Sequence, residues 1–310
     1  MRLAGVVLAA LAALVLQYFV LIRPWYETWG ATAAEALRDL PGDELIPDAA
    51  DVETRGIAIR ATPQALWPWI AQLGQERAGL YSYRWLENLL GAEMPSSTHL
   101  LGLPDPRPGD RFWIYPRNKA RGLGYALYAV VDPGRALVLQ GHGAEVPGLF
   151  GELWPGGTWA FVLEPQPDGT TRLLVRHRRG EQKGGSGPLA SLYRALLFDP
   201  VQFAMERKLL LTVKVLAEGR PPPPAWADVA EVVLWLATAA CGLAAAAAVL
   251  LRRATFWRPL AAGTVALFVL TLLFFARPPL LVAVVLVVGL RWVLAWGLKG
   301  EPGSVARPAS

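Results

Sequence analysis

The chain has 310 residues, of which 54% are hydrophobic, and a mean hydropathy of +0.32, which excludes an ordinary soluble protein. Residues 24–224 contain 21 Lys and Arg against 22 Asp and Glu, and the remaining residues contain 9 against 3, so the net charge of +5 is the sum of −1 and +6. Because the basic excess flanks apolar segments, where it orients membrane helices, we expect no nucleic-acid partner.

The first predicted element is a membrane anchor. Leu3–Ile22 contains 20 residues without a charge, which is enough to cross a hydrocarbon core of roughly 30 Å. Arg23, Trp25 and Tyr26 follow it and are typical of a membrane interface. We therefore expect residues 1–23 to form an N-terminal transmembrane anchor.

The central domain is predicted to begin with a strand and two helices. Arg55–Arg60 alternates as a strand does, and Thr62-Pro63 then supplies a cap and a first residue for a helix that ends near Leu73. A second helix is expected over about Tyr83–Leu90, and Gly91 ends it.

Five extended runs follow and predict an antiparallel sheet. They are Asp110–Tyr115, Tyr125–Val131, Ala136–Gly141, Thr158–Glu164 and Thr171–His177. A long amphipathic helix from Asp199 to about Ala217 has an apolar face, which we expect the concave side of the sheet to cover. The expected fold class is α+β, in the helix-grip arrangement of a curved antiparallel sheet around a long C-terminal helix.

Four short motifs suggest a known superfamily. They are Pro41–Leu45 (PGDEL), Ala65–Gly74 (ALWPWIAQLG), Gly79–Asn88 (GLYSYRWLEN) and Pro108–Asp110 (PGD). In these motifs and in its order of elements, the chain resembles the SRPBCC superfamily of START/Bet v1-like and polyketide cyclase-like domains, over about residues 40–217. The resemblance implies a helix-grip fold with a buried cavity between sheet and helix. It implies no single activity, and it does not include the apolar segments at the two ends.

The carboxyl end is predicted to cross the membrane three times. The crossings are expected over Val229–Leu251, Pro259–Ala276 and Pro279–Leu298, which makes four in total. We therefore assign residues 24–224 to the central domain and 225–310 to a three-helix membrane region with a short tail. Six cations lie near the ends that face away from the central domain, and three near the ends that face it. The positive-inside rule then predicts a multi-pass protein of the cell membrane with an extracytoplasmic central domain.

His177 is the candidate catalytic residue. On its strand Arg176 and Arg178 fall on the side that we expect to face water, so His177 falls on the inner side. A neutral imidazole there would hydrogen-bond a ligand or act as a base; a core histidine satisfied by the backbone is the alternative. His99, His142 and His177 lack the spacing of metal ligands, so we expect no metal and no cofactor.

Aromatic side chains are dense in the central domain and can line an apolar pocket, although core filling is the alternative for each ring. Together with His177, the predicted ligand-binding residues are Trp85, Trp113, Tyr115, Trp159, Phe161 and Phe203. Phe203 is expected to face Trp159 and Phe161 from the long helix. Glu206, beside the apolar stripe of that helix, either reaches the cavity or forms a surface ion pair.

Three functions stay open at this level. The first is a membrane-tethered protein that binds a hydrophobic small molecule, lipid or isoprenoid-like, close to the bilayer. The second is a cyclase or hydratase that uses His177 with a tyrosine in the same cavity. The third is a sensory or structural module without catalysis, whose pocket is filled by its own side chains and whose partner is another membrane protein. The usual hydrolase, metalloprotease and nucleotide-binding motifs are missing from the sequence, which favours binding.

Overall fold

A computed structural model describes residues 15–141, 157–180, 188–251 and 257–299. These residues divide after Pro222 into two compact units. The first unit contains the strands β1 (Asp51–Ile59), β2 (Arg111–Trp113), β3 (Tyr125–Asp132), β4 (Ala136–Gly141), β5 (Gly157–Pro165) and β6 (Thr171–Arg179). Its helices are α1 (Arg23–Glu27), α2 (Ala33–Leu37), α3 (Pro63–Ala71), α4 (Arg84–Leu89), α5 (Pro188–Tyr193) and α6 (Asp199–Ala217). Shorter helical turns are Tyr18–Ile22, Asp43–Leu45, Ala120–Gly122 and Arg194–Phe198.

The six strands form one antiparallel sheet in the order β1-β6-β5-β4-β3-β2. All five predicted period-two runs are strands, and the α+β class is confirmed. Strand β1 starts four residues earlier than the run predicted for it, at Asp51 instead of Arg55. The added residues pair with the end of β6, so that Glu53 lies opposite His177 in the register.

Helix α3 begins as the sequence predicts. Thr62 Oγ1 accepts a hydrogen bond from the backbone N–H of Ala65 at 3.3 Å, and Pro63 is in the first turn. Helix α6 runs from Asp199 to Ala217, as the sequence predicts. Asp199 is not a cap that starts it, because Phe198 already has helical dihedral angles (φ −67°, ψ −57°) and the preceding turn runs directly into α6. Asp199 is instead buried among Arg23, Arg179 and Arg194, at 3.6 to 3.8 Å.

The main hydrophobic core joins α6 to the inner face of the sheet. Leu209, Leu210 and Val213 of α6 belong to the same buried cluster as Phe161 and Val175 of the central strands. Burial of each such side chain stabilises the fold by about 1.5–3 kcal/mol. The apolar face of α6 is therefore covered in part by the sheet.

The outer face of β6 corrects one prediction, namely that its arginines face water. Arg176 is only 2% exposed. Its guanidinium pairs with Asp43 and donates to the carbonyl oxygens of Arg38 at 2.7 Å and Glu35 at 2.9 Å. A buried guanidinium needs acceptors for its five donors. Thr54 of β1 accepts from Nε, and the chain that precedes β1 supplies the other acceptors by lying across the sheet.

The second unit consists of apolar helices. They are α7 (Ala225–Leu251), α8 (Trp257–Thr271), which continues through the turn Leu272–Ala276, and α9 (Leu280–Leu298). Among the described residues, these three helices are long and apolar enough to cross a membrane, which indicates a membrane protein. Most of the predicted first crossing, Leu3–Ile22, lies outside the described residues.

An ion pair joins two of these helices. Arg277, just after α8, donates to both carboxylate oxygens of Glu231, near the start of α7, at 2.7 and 2.6 Å. The pair places the start of α7 and the end of α8 at the same end of this unit, as antiparallel neighbours require. It also gives a partner to a carboxylate that would otherwise be costly in an apolar helix.

Candidate functional site

A cavity of about 140 Å³ lies between the sheet, the α4 region and α6. Most of its lining is apolar and includes Leu80, Leu90, Met94, Ile114, Met205 and Leu209. Polar groups also reach it, from His177, Arg179, Gln202, Glu206 and Glu87. An apolar pocket with a few converging polar groups is the usual form of a small-molecule site.

Two neighbouring strands build one wall of the cavity. Trp159 of β5 and His177 of β6 are directly opposite in the register, and their rings stack at 5.5 Å with an interplanar angle of 17°. Alternation along both strands turns these rings inward, which confirms the predicted inner position of His177.

Glu206 of α6 connects this wall to the buried charges behind it. Its Oε1 atom accepts a hydrogen bond from Trp159 Nε1 at 2.8 Å and lies 2.7 Å from His177 Nε2. Its Oε2 atom pairs with Arg55 of β1. Burial raises the pKa of Glu206, but His177 and Arg55 outweigh that effect and lower it to about 2. Glu206 therefore reaches the cavity as an ionised and fully engaged carboxylate.

The ion network continues along β1 and β6. Arg55 also pairs with Glu53, Glu53 pairs with Arg179, and Arg179 donates to Asp51 at 2.8 Å. Burial raises the pKa of Glu53, but Arg55 and Arg179 lower it to about 2. Because each buried charge here has an oppositely charged neighbour, the network makes a rigid polar end to the cavity.

Glu87 of α4 is the other carboxylate of the cavity wall, and it is 5% exposed. The chain turns at Gly91 (φ +86°) after α4, so that Ala92 and Met94 return to the cavity beside Glu87. Among the described residues, Glu87 Oε1 has no hydrogen-bond partner. Burial raises the pKa of Glu87 to about 7, and only Arg84 opposes this rise.

The structure places three of the seven predicted ligand-binding residues in the cavity lining: Tyr115, Trp159 and His177. Burial raises the pKa of the Tyr115 hydroxyl. The pairing of Trp159 with Phe161 on one face is confirmed by a ring distance of 4.8 Å, but Phe161 is core and lies outside the lining. Ligand contact by the three lining residues stays a prediction.

The other predicted aromatic residues also lie outside the cavity lining. Phe203 stacks on Tyr26 at 5.4 Å, because it occupies the side of α6 that α1 covers. Trp113 packs on Tyr125 at 5.0 Å, next to the cavity. Trp85 is half-buried on α4, and its Nε1 atom has no hydrogen-bond partner among the described residues.

Sequence reasoning missed the role of Arg55, Glu53 and Glu87 and left that of Glu206 open. The positions of two of them carry a local signal. Glu206 is three residues before Leu209 and therefore shares its helix face, and Glu87 bears the same relation to Leu90. No local pattern shows that Arg55 meets a carboxylate 151 residues later. No cluster of three potential metal-binding side chains occurs within the described ranges.

No protein-family model matches the chain, and no curated protein matches it. Among solved structures, protein MLL2253 from Mesorhizobium loti is 15% identical, with a TM-score of 0.33, over 56% of this chain and 100% of that one. The Aha1 dimer from Colwellia psychrerythraea is also 15% identical, with a TM-score of 0.33, over 54% of this chain and 96% of that one. At these TM-scores the likenesses assign neither a fold family nor a function.

Proposed function

We propose that this protein is a membrane-tethered binding protein that holds a hydrophobic small molecule in a helix-grip cavity. The observation that carries the proposal is the cavity itself, with apolar walls from α6 and the α4 region and polar groups from β6. A pocket of this composition gains affinity from apolar burial and selectivity from a few placed polar atoms.

The volume limits what the cavity accommodates in this conformation. A dry apolar cavity of roughly 150 Å³ binds benzene, so 140 Å³ corresponds to about one ring or a short acyl segment. A lipid or isoprenoid would place its terminal part there. The expected ligand is therefore a ring-sized molecule or the end of a longer apolar one.

The membrane arrangement is part of the proposal. Four crossings, with the central domain extracytoplasmic, would tether the cavity by short linkers on both sides. The three apolar helices and the excess of cations on one side of the predicted crossings support this topology. A reporter fused after Ser310 tests it, because the proposal places that end in the cytoplasm; activity of a reporter that works only outside the cytoplasm would contradict it.

Binding is preferred to the cyclase or hydratase alternative because of the surroundings of His177. Its Nε2 atom lies 2.7 Å from Glu206 Oε1 and 3.4 Å from Gln202 Nε2, so this nitrogen already has protein neighbours. Its ring stacks on Trp159. These contacts suit a wall residue held in one orientation better than a base directed at a substrate.

The test uses the full chain in lipid nanodiscs. Met205→Trp places a large side chain in the cavity lining, and Leu211→Trp makes a comparable change on the same helix outside the lining. We expect organic extracts of the wild type and of Leu211→Trp to contain an apolar compound that extracts of Met205→Trp lack. We also expect 4-fluorotoluene, followed by fluorine NMR, to bind the first two proteins and not the third. Identical extracts from all three proteins, with no binding of the probe above the Met205→Trp background, would refute the proposal.

A further inference from the structure

Glu87 is a buried charge-bearing group that the network around Glu206 does not include. It is on α4, in a part of the cavity wall formed with Leu90, Ala92 and Met94. Burying a carboxylate among apolar side chains is costly unless a partner supplies hydrogen bonds and opposite charge. Glu87 in this cavity wall therefore needs a partner that supplies hydrogen bonds and a positive charge.

Within the described residues Glu87 has one nearby opposite charge, that of Arg84, and it lacks a hydrogen bond at one carboxylate oxygen. Glu87 Oε1 makes no hydrogen bond within the described ranges. Arg84, on the same helix, donates its Nε–H to the carbonyl oxygen of Met94 at 3.0 Å. By contrast, Glu206 has three side-chain partners in Trp159, His177 and Arg55.

The basic side chains of the cavity wall are already engaged elsewhere. Arg179 of β6 pairs with Asp51 and Glu53, and His177 lies against Glu206. The polar end on β6 is therefore balanced within the protein, whereas the carboxylate on α4 has only the charge of Arg84 near it and one oxygen without a hydrogen bond. A ligand that brings a positive charge and N–H donors would complete the α4 side.

We propose that Glu87 is the subsite for a primary amine, so that the preferred ligand is an apolar body of about one ring that carries an ammonium group. This inference rests on the proposed function and specifies its ligand class. The ammonium donates to the Glu87 carboxylate while the ring occupies the apolar part of the cavity near Met205 and Leu209. A hydroxyl would supply a donor without the charge and would bind less tightly.

The experiment compares three probes that share one ring: 4-fluorobenzylamine, 4-fluorobenzyl alcohol and 4-fluorotoluene. Each is titrated into the full chain in nanodiscs at pH 8 and followed by fluorine NMR, with Met205→Trp as the background for partitioning into lipid. In the wild type we expect the amine to bind at least tenfold more tightly than 4-fluorotoluene. Glu87→Gln should remove that advantage, so that the amine and 4-fluorotoluene bind this variant with affinities within about twofold of each other. Glu93→Gln, whose side chain is 61% exposed, should behave as the wild type.

The outcomes separate this inference from the proposed function. If 4-fluorotoluene binds but the amine binds no more tightly, or if Glu87→Gln keeps the advantage of the amine, the amine subsite is refuted and the binding function stands. If the alcohol binds as tightly as the amine, the requirement for positive charge is refuted. If no probe binds above background, the proposed function itself fails. Binding of 4-fluorotoluene to Glu87→Gln above background shows that the variant is folded.

Discussion

The burial of Glu87 predicts that a neutral isostere stabilises the protein at high pH and not at low pH. Glu87→Gln keeps the size of the side chain and removes its titration. Burial raises the pKa of Glu87, so ionisation costs the folded state more than the unfolded state. The contribution of the Glu87 carboxyl to the free energy of unfolding is therefore most favourable below pH 4.5, and it is lost as the pH rises towards about 7.

The magnitude follows from the two pKa values. An ordinary value of 4.5 and a folded-state value of about 7 differ by about 2.5, which at 1.36 kcal/mol for each unit corresponds to about 3 kcal/mol. We expect the free energy of unfolding of Glu87→Gln, relative to the wild type, to increase by about this amount between pH 4.5 and pH 8. For a unit of about 200 residues, that corresponds to a rise in melting temperature of about 6–12 °C.

The assay is thermal unfolding of the full chain in nanodiscs, followed by tryptophan fluorescence at a series of pH values. Glu93→Gln is the control, because it removes a carboxylate that is 61% exposed and should give a nearly constant difference from the wild type. A Glu87→Gln difference that does not change between pH 4.5 and pH 8, or that becomes less favourable as the pH rises, would refute the argument. The expected gain also fits a binding residue, because such residues commonly reduce stability.

Three further predictions concern the free energy of unfolding of the sheet-containing unit. Glu206→Gln should lower it by about 1.5–3 kcal/mol, because Arg55 loses one of its two buried carboxylate partners and keeps Glu53; an unchanged free energy of unfolding would contradict this. Burial raises the pKa of Glu206, but the basic groups beside it lower the value to about 2. The wild-type free energy of unfolding should therefore fall as the pH drops from about 5 to 2, and it should fall less steeply in Glu206→Gln. Denaturation at a series of pH values checks this. In chemical denaturation, Gly30→Ala should cost several times the roughly 1–2 kcal/mol expected for Gly134→Ala. Both glycines have a positive φ (+71° and +77°), but only at Gly30 would a Cβ collide with another atom, the carbonyl oxygen of Gly56. Equal losses would refute this prediction.

Local patterns predicted the elements well because they depend on neighbouring residues. The alternation in β5 and β6 turned Trp159 and His177 inward, and Thr62-Pro63 marked the start of α3. The apolar runs after residue 225 predicted three helices long enough to cross a membrane, within a few residues of their observed ends. A hydrophobic period or a cap is read from fewer than ten residues, so tertiary context changes it little.

Partners distant in sequence decided the rest. Alternation put Arg176 on the outer face of β6, but whether that face meets water depends on the chain near Asp43, which lies 133 residues earlier and covers it. From the sequence, Glu206 could either reach the cavity or form a surface ion pair. The structure shows a buried pair with Arg55 of β1, which lies 151 residues earlier. Sequence reasoning gave Glu87 no role, because its burial depends on the turn at Gly91 that returns Met94 to a position beside it. The sequence by itself determined which elements form and which way the strands face, because those are properties of short segments. Only the tertiary structure decided which charges are covered, paired or left without a described partner, because burial and pairing are properties of segments that meet in space.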